Sequence, residues 1–271
     1  MSDASISIAP LTLFRPDPLE LIEAAGAAGF NLVDLQFGVQ DQPLDPRYVD
    51  SGFVGQVRAA LRSRGLEVLD VGSIALSPEL DPAVPPALVR FASDVEARIV
   101  HVTDWDPEAE RTIDRFGQLC DLAAGPGLQV AIEFMPYSCT RTLDDASGLV
   151  AAVSRGNAGI ALDTLHLIRS GGSPTAIRNV PPAMFSFIQL ADAPRDAPPT
   201  DRLREEALGR RLLPGEGELP LDEIVDALPA LAVSVEVPCH ANRHLAPTDQ
   251  ARLALEATKR FLARGPKARG T

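Results

Sequence analysis

Histidine and cysteine are scarce in this chain, at four and three residues among 271. The small histidine count excludes a multinuclear histidine cluster. Cys120, Cys139 and Cys239 are odd in number and far apart, without the close pairing of a zinc knuckle or a redox motif. They read as reduced thiols; Cys139 and Cys239 fall a few residues beyond expected strand ends, where a small hydrophobe is the plain reading. The opening MSDASISIAP has no basic stretch followed by an apolar core. No run reaches the ~18 apolar residues that cross a bilayer. A cytoplasmic location without a membrane partner is the expectation. Positive charge is also short, with 25 Lys and Arg against 37 Asp and Glu, a formal charge of -12. The basic residues are scattered, so a nucleic-acid backbone would be repelled and no nucleic-acid partner is expected. A glycine-rich phosphate cradle of the P-loop type, low-complexity tracts and fine repeats are missing too.

What is present is apolar residue at 45%, with 23% charged residues to keep a large core soluble. An α/β barrel commonly occupies about 250 residues as one unit, so one domain over residues 1–271 is expected. Short β-rich apolar runs alternate with helical stretches throughout, the pattern of βα units around a parallel sheet. The runs cover residues 6–13, 32–37, 67–71, 99–103, 129–134, 159–163, 185–190 and 233–237. Eight of them predict a (β/α)8 barrel.

Helices are predicted over 18–28, 48–64, 87–97, 107–124, 144–153 and 248–262, several opened by Pro and closed by Gly. Residues 174–183 hold Pro174, Pro181 and Pro182, which leaves room for a turn or two. Residues 191–218 are the longest stretch without a core period and are expected to lie over the barrel mouth as a substrate-covering loop. Residues 265–271 read as a frayed end.

In a parallel barrel all strand C-termini open on one face, so polar residues ending several strands converge there. Glu133 in VAIEF, Asp163 in IALDTLH, Gln189 in FIQLAD and Glu236 in SVEVP each interrupt an apolar run. A single strand-terminal carboxylate is commonly a helix cap or an ion-pair partner. Four such residues on successive strands point to a shared site. Burying three carboxylates together is untenable unless a cation or protons neutralise them. A divalent metal is the simplest neutraliser. Three carboxylates and one amide oxygen form an all-oxygen set that suits a hard ion, Mn2+ or Mg2+, with Co2+ as the further choice.

These residues resemble the xylose-isomerase-like TIM barrels, which include sugar phosphate isomerases and epimerases, inosose dehydratases and 3-dehydroshikimate dehydratases. The resemblance spans essentially the whole chain, with PGEGELPLDEI at 214–224 similar to the segment leading into the last unit. It implies that Glu133, Asp163, Gln189 and Glu236 hold one divalent metal. It also implies that the pair Glu133 and Glu236 both ligates the ion and shuttles a proton. His166, three residues after Asp163, repeats a D-x-x-H motif whose His reaches the substrate, and is a catalytic and substrate-binding candidate. Arg195 looks like the family's substrate-gripping Arg, and Arg211 before LLPGEG is its rival. His101 in IVHVT is either a substrate contact beside the metal or a hydrogen-bonded core residue.

Gln189 departs from the usual His of the family and is similar to some 3-dehydroshikimate dehydratases. Against that reading, FGVQDQPLDP and DVGSIALSP lack those enzymes' Arg-containing motif. His240 and His244 follow Glu236 closely, but four His and an acidic chain do not support a DNA-cleaving metal cluster. The implied function is isomerisation or epimerisation of a small sugar-like hydroxy-carbonyl substrate through α-proton removal and an enediolate. The alternatives are a dehydratase using the same enolate, and a barrel that binds sugar or metal without turnover. Relatives of this kind are often homo-oligomers.

Overall fold

The computed structural model describes residues 5–37 and 44–264. Eight strands run in parallel: β1 (Ile6–Ile8), β2 (Leu32–Gln36), β3 (Glu67–Leu76), β4 (Ile99–Asp104), β5 (Gln129–Glu133), β6 (Ala158–Asp163), β7 (Phe185–Leu190) and β8 (Val233–Val235). Their order is β1-β8-β7-β6-β5-β4-β3-β2, and β1 and β2 at its two ends pack side by side, so the sheet forms a nearly closed (β/α)8 barrel.

Ten α-helices connect or flank these strands among the described residues. They are α1 (Pro18–Ala28), α2 (Ser51–Arg64), α3 (Val84–Asp94), α4 (Ala109–Ala124), α5 (Leu143–Val153), α6 (Thr164–Arg169), α7 (Pro174–Ile177), α8 (Leu203–Gly209), α9 (Leu221–Ala227) and α10 (Pro247–Ala263). None of them is long and apolar enough to cross a membrane. The predicted boundary chemistry is visible in α1, where the Asp17 side chain accepts from the Leu19 amide, Pro18 starts the helix and Gly29 ends it at φ 93°.

Side-chain alternation along the strands sorts the core into two bodies. One set faces the helices, with Val33, Val100, Val130 and Ile160 packed against helix residues such as Leu21, Leu88, Phe116 and Val150. The other plugs the barrel: Leu32, Leu69, Ile99, Ala131, Ala161 and Phe187. Each fully buried large residue of the plug contributes roughly 1.5–3 kcal/mol by leaving water. Two residues further along five of these strands, the same inward face carries Asp34, His101, Glu133, Asp163 and Gln189 beyond Leu32, Ile99, Ala131, Ala161 and Phe187 respectively, all buried. The apolar plug thus forms the floor of a polar cup.

Several boundaries differ from expectation. Strand β1 stops at Ile8, because Pro10 has no amide to continue the ladder and opens a 3-10 turn at Pro10–Leu13. The helix expected over 48–64 begins at Ser51, where Asp50 caps the Phe53 amide after a 3-10 turn at Pro46–Val49. The helix expected over 87–97 starts earlier, at Val84, with its prolines accommodated in the first turn. Residues 265–271 and part of FGVQDQPLDP lie outside the described residues.

Candidate active site

Strand register sets the floor of the site. Asp163 pairs in register with Gln189, Gln189 with Ser234 and Ser234 with Ser7, so four inward residues from β6, β7, β8 and β1 stand at one height. Glu133 ends β5 opposite Thr103. Glu236 follows β8, where its amide reaches the Leu190 carbonyl at 3.3 Å.

Asp163 also caps α6: its Oδ1 accepts the His166 amide at 2.9 Å, which fixes His166 one turn above the strand end. The His166 Nε2 lies 3.8 Å from Glu133 Oε1 and 3.5 Å from the Tyr137 hydroxyl. Donor atoms of Glu133, Asp163 and His166 fall within 4.8 Å of one another.

Arg211 is buried among these groups. Its guanidinium bonds Asp163 Oδ2 at 2.5 Å, reaches Glu236 Oε2 at 3.0 Å and donates to the Ala207 carbonyl at 2.8 Å. On the other side, His101 Nδ1 lies 3.4 Å from Asp70 Oδ2 and its Nε2 lies 3.3 Å from Glu133 Oε2. The second contact is not aligned as a hydrogen bond, so His101 Nε2 is buried without a partner. Gln189 Oε1 is likewise buried and unpartnered.

These contacts set the charges. Burial pushes the Glu236 carboxyl up to about 7, with Glu133 and Asp163 adding to the rise and Arg211 opposing it. Burial acts the same way on Asp163, but Arg211 and His166 outweigh it and hold that carboxyl below its usual range. Burial lowers His166 despite Asp163 and Glu133, leaving a neutral imidazole near neutral pH. Burial would lower His101 as well, yet Asp70 and Glu133 raise it well above an ordinary imidazole.

The donor set fits a divalent ion on two counts. An amide oxygen in a buried polar cup with no hydrogen bond is an orphan that a cation would satisfy. The Glu133, Asp163 and His166 donors also converge. The structure adds a counter-charge that the residue pattern did not reveal, because Arg211 bridges two of the four expected ligands, Asp163 and Glu236.

The cup opens into a cavity of about 170 Å³ lined by His101, Glu133, His166, Gln189, Arg211 and Glu236. Arg195 is not brought into it. Its side chain is 78% exposed beside Glu218 at 3.9 Å. His240 stacks on Phe14 at 5.4 Å, apart from the carboxylates.

Residues missed in the sequence also line the cavity: Asp34, Asp70, Trp105, Tyr137 and Arg204. Asp34 and Asp70 interrupt the apolar runs LVDLQ and VLDVG, the same signal that singled out Glu133 and Asp163. Residues 191–218 reach the cavity through α8, which contributes Arg204, Ala207 and Leu208. The Asp192 carboxylate ties the base of that segment by accepting the amides of Ala193, Gly215, Gly217 and Leu219. Gly217 permits the close approach, since a Cβ there would meet Asp192 Oδ1 and the Ala193 carbonyl at 2.4 Å.

The profile of a family described as xylose isomerase-like TIM barrel matches residues 22–261. A 3-dehydroshikimate dehydratase of Pseudomonas aeruginosa is 31% identical over 207 residues, 69% of this chain and 30% of that protein. An inosose isomerase of Bacillus subtilis is 28% identical over 125 residues, 45% of this chain and 43% of that protein. The chain therefore spans less than half the length of these curated relatives. The crystal structure of an IolI protein with a bound zinc atom superposes with a TM-score of 0.81 at 18% identity, covering 97% of this chain and 99% of that one.

Proposed function

Because this chain belongs to the xylose isomerase-like TIM barrel family, we propose that it is a divalent-metal-dependent enzyme that removes the proton beside the carbonyl of a small polyhydroxylated substrate and returns it as an isomerase or epimerase. The observations that support this reading are the approach of Glu133, Asp163 and His166 donor atoms to within 4.8 Å of one another, and a neighbouring cavity lined by Glu133, Gln189 and Glu236 in which the Gln189 amide oxygen has no protein partner. Glu133, Asp163, Gln189 and Glu236 would hold the ion, with His166 close by. A bound Mn2+, Mg2+ or Co2+ supplies a Lewis acid that stabilises negative charge developing on the substrate oxygens.

The chain's own groups account for the proton. Glu133 on β5 and Glu236 after β8 stand on different sides of the cup, the arrangement needed to take a proton from one face and return one to the other. Burial and the neighbouring carboxylates raise the affinity of Glu236 for a proton, while a bound ion would favour its ionised form, and these opposed effects suit a group that shuttles a proton. His166, neutral and beside the Tyr137 hydroxyl, is placed to exchange a proton with a substrate hydroxyl. Arg211 holds Asp163 and Glu236 in position.

A second reading is supported by Gln189 and by the 31% identity to a dehydratase over 69% of the chain. In it the same enolate loses a β-hydroxyl, with His166 and Tyr137 delivering the proton that carries it away. Incubating the Mn2+-loaded protein in D2O with ketoses, inososes and dehydroshikimate separates the two. Deuterium at the α-carbon of a rearranged product supports the isomerase. A conjugated enone absorbing in the ultraviolet supports the lyase. No exchange and no enone with any of them would overturn both.

A further inference from the structure

The proposed chemistry takes its groups from β5 to β8 and leaves His101, on β4, without a role. His101 pairs in register with Ala131, so Glu133, two residues further along β5, stands one step above it on the same inward face. The imidazole is fixed on three sides. Its Nδ1 lies 3.4 Å from Asp70 Oδ2 on β3, and its ring packs edge-on against Phe187 of the plug, with centroids 5.6 Å apart at 86°. Gly72 closes the third side: a Cβ there would fall 2.6 Å from the His101 Cβ and 2.6 Å from its carbonyl oxygen, so only glycine lets β3 lie this close. The fourth side is open to the cavity, and there Nε2 is buried, makes no hydrogen bond and faces Glu133 Oε2 at 3.3 Å.

A buried donor without an acceptor is costly, and a ring held in this way cannot turn to find one. The acceptor within reach is Glu133 Oε2. We infer that His101 is a positioning residue for Glu133: its Nε2–H takes Oε2, and Oε1 is thereby presented to the side of His166, whose Nε2 lies 3.8 Å away. The inference rests on the reading of Glu133 as metal ligand and base, and names what orients it. Both ring nitrogens face carboxylate oxygens, so each carries a proton and the ring is a cation. A lone cation would repel a divalent ion, but this one is matched by Asp70 on its far side. The Asp70 and His101 pair therefore offers Glu133 a donor with little net charge. A ligand whose second oxygen is already held gives up less freedom when its first engages an ion, and such outer hydrogen bonds raise metal affinity by about 10–100-fold.

Two isosteric substitutions separate orientation from charge. In His101→Gln the amide nitrogen takes the place of Nε2 and still donates to Glu133; in His101→Asn it takes the place of Nδ1 and donates to Asp70 alone. Both remove the same cation. Mn2+ affinity is read by electron paramagnetic resonance titration, with no substrate present and no turnover. His101→Asn is expected to bind Mn2+ about tenfold or more weakly than both the wild type and His101→Gln, which restores most of the affinity. Equal affinities in the two variants, or tighter binding by His101→Asn than by the wild type, would overturn the inference. Should His101→Asn fail to fold, Asp70→Asn, which leaves Nδ1 without its carboxylate, takes its place. A loss of about tenfold or more there supports the inference, and wild-type affinity overturns it. A wild type that binds no Mn2+ overturns the metal reading and this inference with it, whereas one that binds Mn2+ no better than His101→Asn overturns this inference alone.

Discussion

Arg211 bonds Asp163 at 2.5 Å in the interior of the barrel mouth, with the guanidinium and the carboxylate both removed from water. The same guanidinium reaches Glu236 at 3.0 Å. Withdrawing such charges from water costs several kcal/mol each, and a buried pair recovers that cost only when its hydrogen bonds are made. The contact therefore orders two expected metal ligands before any ion arrives.

Replacing Arg211 with Met leaves two buried carboxylates facing each other without a counter-charge. Loss of one partner of a buried pair costs about 3–5 kcal/mol. Thermal unfolding of Arg211→Met is expected to fall sharply in EDTA and to recover in Mn2+ by more than the wild type does. Equal Mn2+ responses would show that Arg211 is not the carboxylates' alternative counter-charge.

Glu133→Gln keeps the size and shape of the side chain but removes a base and an anionic ligand. Turnover is expected to drop by about two to four orders of magnitude with an unchanged far-ultraviolet spectrum. Wild-type rates in the variant would remove Glu133 from the chemistry.

Asp34 supplies a pH test. Its carboxyl is raised by burial and by Asp70, so the proton is held more tightly in the folded chain than in the unfolded one. Stability from this group is fully present below 3.8, the ordinary value, and is lost as pH climbs through the raised value. Urea unfolding across that window is expected to show Asp34→Asn gaining on the wild type as pH rises. Parallel curves would contradict the assignment.

Asp192→Ala strips the acceptor from four backbone amides at the base of the segment over the mouth. An unsatisfied buried donor costs about 1–3 kcal/mol. Amide exchange over residues 212–219 is expected to accelerate and KM to rise more than kcat falls. Unchanged exchange would show that water replaces the carboxylate.

All eight strands were legible from apolar runs, and β7 matches its predicted residues 185–190. Legibility failed where local chemistry overrode the run: Pro10 cut β1 short, and β3 continued to Leu76 through the bulge at Val71 and Ile74. The short helices α6, α8 and α9 were missed because six or seven residues show too little helical period. Within the site, Glu133, Asp163, Gln189, Glu236, His101, His166 and Arg211 all line the cavity or bond to groups that do. The two rival arginines could not be separated by spacing. Segment 191–218 folds back, pairing Asp192 with Leu212, and this turns Arg211 inward while leaving Arg195 in solvent. Asp34 and Asp70 interrupt apolar runs in the same way, but on β2 and β3, away from the successive strands β5 to β8 that carry the expected ligands.

The central claim is that Glu133, Asp163, Gln189 and Glu236 hold one divalent ion. Metal content after equilibrium dialysis against Mn2+ tests it most directly, using wild type, Glu133→Ala and Gln189→Ala. The expected result is one ion per wild-type chain, none retained by Glu133→Ala, and affinity reduced by about tenfold or more in Gln189→Ala. A wild-type chain that retains no ion, or variants that retain it undiminished, would contradict the claim.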